Sequence, residues 1–240
     1  AKPGQEVYTD RINGFGGALY ITGGKMEMTG GTIVDCSATA GGAIYLPGGN
    51  FNMTGGKISS NDATKDGGGV YLAGGSLTID GESAIIEQNT AVNGAGVYLT
   101  GGTPGLYCGT LSGNIASGNG GGIFIDKQVV ELKPTGTVTF DGNEAIDGAG
   151  MYILGDTENP AGFTVEECQG RVVFKFNVAT ANGGGVCIDN GAFTIRYNNI
   201  DIINNTAKNG GGVAVLSGNF DMYSGVIGES EKSNKATNGG

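Results

Sequence analysis

Short runs in which every second residue is apolar recur along this chain, and no stretch carries a helical 3.6-residue period. In SLTI (76–79) Leu77 and Ile79 flank Thr78. The same alternation returns in KMEM (25–28), NFNM (50–53), AFTI (192–195) and NFDM (219–222). A period of two marks a β-strand with one buried face, and the Gly-Gly pairs that bound many runs supply the turns.

The runs belong to an internal repeat. A glycine corner followed by an apolar strand reads GGALYI (16–21), GGAIYL (41–46), GGGVYL (67–72), GAGVYL (94–99), GGGIFI (120–125), GAGMYI (148–153), GGGVCI (183–188) and GGGVAV (210–215). Successive corners are 25 to 28 residues apart, except for one step of 35 between Gly148 and Gly183. A second marker, Asn-x-Ala, keeps the same beat at Asn61, Asn89, Asn114, Asn143, Asn177, Asn205 and Asn234, with Cys36 in its place in the first coil. An apolar residue stands three positions before most of these asparagines: Ile58, Ile86, Leu111, Phe140, Phe174 and Ile202.

Equivalent strands so far apart pair in parallel, coil on coil. The pattern predicts an all-β solenoid, a right-handed parallel β-helix of about 26 residues and three strands per coil. Eight coils are traced by their corners and a partial ninth is expected from Asn238. In the first strand Leu19, Ile44, Val70, Val97, Ile123, Met151, Val186 and Val213 are expected inside. In the second, Met26, Phe51, Leu77, Val130, Phe193 and Phe220 point in. The repeated asparagine turns inward at a corner, where stacked amides satisfy one another.

Composition narrows what such a rod does. Glycine is 50 of 240 residues, yet 38 % hydrophobic residues at regular positions supply a core that a disordered chain lacks. A net charge of −10 repels phosphate, which argues against nucleic acid. No apolar run approaches the roughly 18 residues of a membrane span, so direct membrane insertion is not expected. With no histidine and no CxxC pair, no metal site and no cofactor are expected, and Cys36, Cys108, Cys168 and Cys187 read as small buried or half-buried thiols. The chain opens on AKPGQEVY without a visible signal peptide and closes inside a repeat, so residues 1–240 are read as one β-helix segment of a longer protein.

The pairing of GGG-V-Y-L and I/F-x-x-N motifs over essentially the whole chain resembles the GGA(I/L/V) and FxxN repeats of chlamydial polymorphic outer membrane proteins. It is also similar to autotransporter passengers and to repeat-rich surface proteins of gut bacteria, within the broader pectin-lyase-like class. The resemblance implies a secreted or cell-surface bacterial protein that acts by adhesion. This chain uses Ile or Leu where that motif prefers Phe, and it shows no membrane barrel.

One outward position carries a pattern of its own. Tyr20, Tyr45, Tyr71, Tyr98, Phe124 and Tyr152 follow one another in consecutive coils before Cys187 and Ala214 end the run. An exposed aromatic stripe roughly 25 Å long would offer a contact for a glycan, for a host or neighbouring cell-surface protein, or for self-association. Stacking that merely stabilises the coils accounts for the same pattern. The long sixth coil adds a polar loop, Asp156, Thr157, Glu158 and Asn159, as a second recognition candidate. The expectation is a non-enzymatic binding segment with no catalytic residues. The alternatives are a polysaccharide lyase or glycoside hydrolase, which would need clustered carboxylates, and a structural stalk or ice-binding solenoid, which would need a regular threonine array. Acidic corners such as Asp141, Glu144 and Asp147 read as solvated turns, not calcium loops.

Overall fold

A computed structural model describes residues 14–166, 169–197 and 200–237. Cys168, the opening AKPGQEVY and the expected ninth coil at Asn238 lie outside the described residues. Eight coils stack in parallel, numbered here from the glycine corners Gly16, Gly41, Gly67, Gly94, Gly120, Gly148, Gly183 and Gly210.

The glycine corners lead into a first sheet of eight strands, from Leu19–Tyr20 to Val213–Val215. Its register places Val70, Val97, Ile123, Met151 and Val186 one above another. A second eight-stranded sheet holds the apolar residues that precede the asparagines, with Leu111 over Ile86 and Phe174 over Phe140. A third is built from the residues just after each asparagine, from Ser37–Ala38 to Lys235–Ala236.

The division into strands differs from the expected three per coil. In coils 1 to 4 the second and third expected strands run together, as in Asn50–Ser59 and Ser76–Glu87. Glycines at positive φ, such as Gly56 at 93°, bend them through register shifts without ending them. In coils 5 to 8 the two part, and Val129–Leu132, Ala161–Val165, Gly191–Ile195 and Gly218–Met222 form a fourth, four-stranded sheet. Pro134 stands at the first break, where it has no N–H to give to a ladder. The x-Ala step, expected to be only a corner, is a sheet in its own right.

The interior follows the alternation. Phe51, Leu77, Val130 and Phe193 from the second runs meet Ile58, Ile86, Phe140 and Phe174 in one continuous apolar core. In the end coils Leu19, Val213 and Phe220 are only partly buried, and Met26, expected inside, is exposed.

Candidate functional site

Asn61, Asn89, Asn114, Asn143, Asn177 and Asn205 are buried polar side chains, and each amide is hydrogen-bonded at both its oxygen and its nitrogen. Asn114 shows the scheme. Its Nδ2 donates to Asn143 Oδ1 in the coil above and to the Ile86 carbonyl, both at 3.0 Å. Its Oδ1 accepts from Asn89 N at 3.1 Å and Asn89 Nδ2 at 3.0 Å. Two donors and two acceptors leave nothing over. The ladder starts at Cys36, whose N–H donates to Asn61 Oδ1, as the sequence position suggested. It ends among the described residues at Asn234.

The aromatic run stacks as expected but does not lie open. Ring centroids from Tyr45 to Tyr152 follow at 4.9 to 5.0 Å. Each ring covers the face of its neighbour, and Tyr98, Phe124 and Tyr152 are 8 %, 4 % and 4 % exposed. Tyr45 and Tyr71 are half-buried, and Tyr20 stands out at 55 %. The glycine corner makes room for the rings: a Cβ on Gly94 would come 2.8 Å from the Tyr98 Cβ. The sequence reading of this position as solvent-facing is therefore corrected for its central part.

The hydroxyls are engaged as well. Tyr98 Oη donates to Asp126 Oδ2 at 2.9 Å and Tyr152 Oη to Asp189 Oδ2 at 3.0 Å, each in the next coil. At Tyr71 the sense is reversed, the Thr100 hydroxyl of the next coil donating to the phenol oxygen. Phe124 has no hydroxyl, and Leu154, at the matching position above it, packs against the cluster. Burial raises the Tyr71 phenol to about 12 and lifts those of Tyr98 and Tyr152 further, helped by the carboxylates that accept from them. Cys187 continues the column, fully buried, with its thiol pushed up to about 12, chiefly by burial.

The sixth-coil loop is exposed. Asp156 accepts from the N–H groups of Glu158 and Asn159, and Lys127 Nζ sits 2.9 Å from its Oδ2. Those contacts, the lysine first, hold the Asp156 carboxyl down at about 2. Thr157 shares a shallow depression with Asp156, Pro160, Asn190 and Asn219. The two first-strand and loop candidates are thus separate places, not one site.

Carboxylates weighed for chemistry are dispersed. Glu131 and Asp221 share a column of the fourth sheet but are separated by Thr164 and Thr194. Asp141 is paired with Lys175 at 3.1 Å, and Asp147 accepts from Asn182. Among the described residues no three Asp, Glu, His or Cys side chains converge as a metal site.

Two exposed features were not anticipated. At the corner after the fourth sheet, Arg196, Tyr197 and Tyr223 line a shallow cleft. Register places Tyr223 directly above Arg196, because Met222 pairs with Ile195. Glu166 Oε1, one coil below, holds the Arg196 Nε at 3.0 Å. Tyr223 is 72 % and Tyr197 42 % exposed. The signal was present in sequence: both tyrosines fall just past the alternating run of consecutive coils. The other feature is the outer face of the third sheet, where Val92, Ile115, Ile146 and Val178 are exposed.

Residues 50–225 match the model of the family described as the right-handed β-helix region. The chain belongs to that family. No curated protein and no solved structure matches it. Membership gives the parallel coils their right-handed sense and leaves the choice of ligand or reaction to the surface of this β-helix.

Proposed function

We propose that this β-helix is a non-enzymatic binding segment of a secreted or cell-surface protein, and that it takes a glycan in the Arg196–Tyr197–Tyr223 cleft. The observation that carries the reading is the pair of open tyrosines beside an arginine that Glu166 orients. Sugar rings present C–H faces to aromatic rings, and the free end of a held guanidinium suits hydroxyls or a uronate carboxylate. The resemblance of the repeats to bacterial surface adhesins supports the same direction. The contact therefore moves from the middle of the aromatic ladder, whose faces are taken, to rings that face water.

Glycan-array screening followed by calorimetry tests this. Tyr223→Ala and Tyr197→Ala should each weaken binding about tenfold, roughly 1 to 2 kcal/mol per ring. Thermal melting should hardly move, because both rings are exposed. New reducing ends or unsaturated products on incubation with acidic polysaccharides would overturn the reading in favour of a lyase or hydrolase. Glycan binding that ignores both substitutions would remove the cleft.

A further inference from the structure

The tyrosine cleft is one end of a longer surface, the outer face of the fourth sheet. Its outward residues read Ala192, Thr194, Arg196 in coil 7 and Asn219, Asp221, Tyr223 in coil 8, and the ladder sets each of the first three beneath its counterpart. Two residues along a strand cover about 6.6 Å, so Ala192 and Asn219 lie roughly 13 Å from Arg196 and Tyr223. At that far end Ala192 and Asn219 share a depression with Asp156, Thr157 and Pro160 of the sixth-coil loop. The floor between loop and cleft is low. Its side chains in coils 6 and 7 are small, and a Cβ on Gly162 would meet nothing nearer than 3.7 Å.

The charges on this floor select among sugars. Glu131, Thr164, Thr194 and Asp221 form one column across it. Neither Glu131 nor Asp221 makes an ion pair with another described residue. Arg196 is already paired with Glu166, and Asp156 with Lys127. A polyuronate laid from cleft to loop would bring its carboxylates to Asp221, on a chain of net charge −10, and would be repelled. A sugar hydroxyl instead donates to a carboxylate in a short, strong hydrogen bond, and the two threonines can give or accept another. Of the two partners that suit the Arg196 guanidinium, hydroxyls are therefore favoured.

We infer that the ligand is a neutral oligosaccharide of equatorially linked hexoses, as in a cellulose chain, and that it runs along the strands from Tyr223 over Asp221 to the sixth-coil loop. The inference rests on the glycan reading of the cleft and fixes the class and direction of the chain bound there. Equatorial linkages make an extended ribbon with C–H faces and hydroxyl edges. Its end ring stacks on the open tyrosines. Its edge hydroxyls reach Asp221 and Thr194, and its far rings reach Asn219 and Thr157.

A floor of short side chains on a single sheet suits such a ribbon, because it has no deep slot to receive a coiled chain. The loop thereby gains a part in the same site as the tyrosines. It walls the end of the floor that the cleft leaves open, and Lys127 and the loop's own N–H groups hold Asp156 in place there.

Calorimetry with cellobiose, cellotetraose and the tetraglucuronate of the same linkage is the test. Cellotetraose should bind about tenfold tighter than cellobiose, and tighter than the tetraglucuronate. Asn219→Ala should weaken cellotetraose several-fold and leave cellobiose, held at the tyrosines, unchanged. Asp221→Lys should reverse the order of the neutral and acidic tetramers. Both side chains are exposed, and thermal melting checks that each variant stays folded. A wild type that binds no cellotetraose, or binds it no tighter than cellobiose, overturns the inference. So does a wild type that prefers the tetraglucuronate, or an order that Asp221→Lys leaves as it was. In each of these cases the cleft itself stands if Tyr223→Ala still weakens the glycan selected on the array, and falls if it does not.

Discussion

Asparagines and aromatics climb the same rod on opposite sides of its wall. The asparagines stack inside, and each amide from Asn89 to Asn205 gives and takes two hydrogen bonds. The rings stack outside the first sheet and bury one another by contact. The inner ladder keeps Asn in every coil from the second to the eighth. The outer one changes to Phe124, Cys187 and Ala214 and still closes. A buried amide has directional partners above and below, so no other side chain fits both. A ring has only faces, and any apolar group that covers them suffices, provided each hydroxyl finds an acceptor.

Breaking the inner ladder should therefore cost most. Asn114→Ala takes the side-chain partner from the Asn89 backbone N–H and from the Ile86 carbonyl, and removes one of the two acceptors of the Asn89 Nδ2, which keeps only the Ile58 carbonyl. At about 1 to 3 kcal/mol for each unsatisfied buried group, the loss should be about 4 kcal/mol, read from urea unfolding. A loss below about 1 kcal/mol would mean that water reaches the corner and the ladder is not what closes it.

The outer ladder predicts a smaller and repairable loss. Tyr98→Phe takes the donor from Asp126 Oδ2, while Asp126 Oδ1 is already buried without a partner. About 2 kcal/mol should go. Adding Asp126→Leu recreates the Phe124–Leu154 arrangement one step down the stack and should recover more than half of it. If the double variant is simply the sum of the two single ones, the next-coil pairing of hydroxyl and carboxylate has no energetic content.

Alkali should separate the ladders more gently. Folding raises Tyr71 from 10.0 and Cys187 from 9.0, each to about 12, so the folded state favours their protonated forms. That stability is complete below the ordinary values and fades as pH climbs towards the folded ones. Urea midpoints should hold to about pH 9 and fall between about pH 9 and pH 12. Cys187→Ala should flatten the start of that decline and Tyr71→Phe the later part. A decline unchanged in both variants would place the alkaline weakness elsewhere.

Much of this was legible in the sequence. Gly-Gly-x-Val-Tyr-Leu and Asn-x-Ala recur in step, so the coil, the inward residues and the amide ladder follow from periodicity. Alternation says which side of a sheet Tyr98 occupies. It does not say how far the next coil covers it, which depends on a 4.9 Å ring contact with Phe124 and on Asp126, 28 positions away. The outer strip of the third sheet was hidden because Asn-x-Ala looked like a turn whose flanking residues carry no pattern. Tyr197 and Tyr223 fell outside the repeat altogether, and their adjacency depends on register.

The smallest effect concerns how the inner ladder is set in place. The residue before each ladder position from Cys36 to Asn205 adopts positive φ: Asp35, Ser60 and Gln88 at 55°, Gly113 at 58°, Gly142 at 62°, Phe176 and Asn204 at 56°. That left-handed turn swings the following side chain inward, and it strains residues other than glycine. Phe176 is the bulkiest of them, exposed, with the Lys175 ammonium 6.0 Å from its ring centroid as a weak compensation. Coils 4 and 5 already use glycine at this position. Phe176→Gly should raise stability by about 1 kcal/mol, the relief of strain exceeding the added freedom of the unfolded chain. The gain should vanish in an Asn177→Ala background if the turn matters because it delivers the asparagine. A gain that persists there would show the turn to be independent of the ladder it precedes.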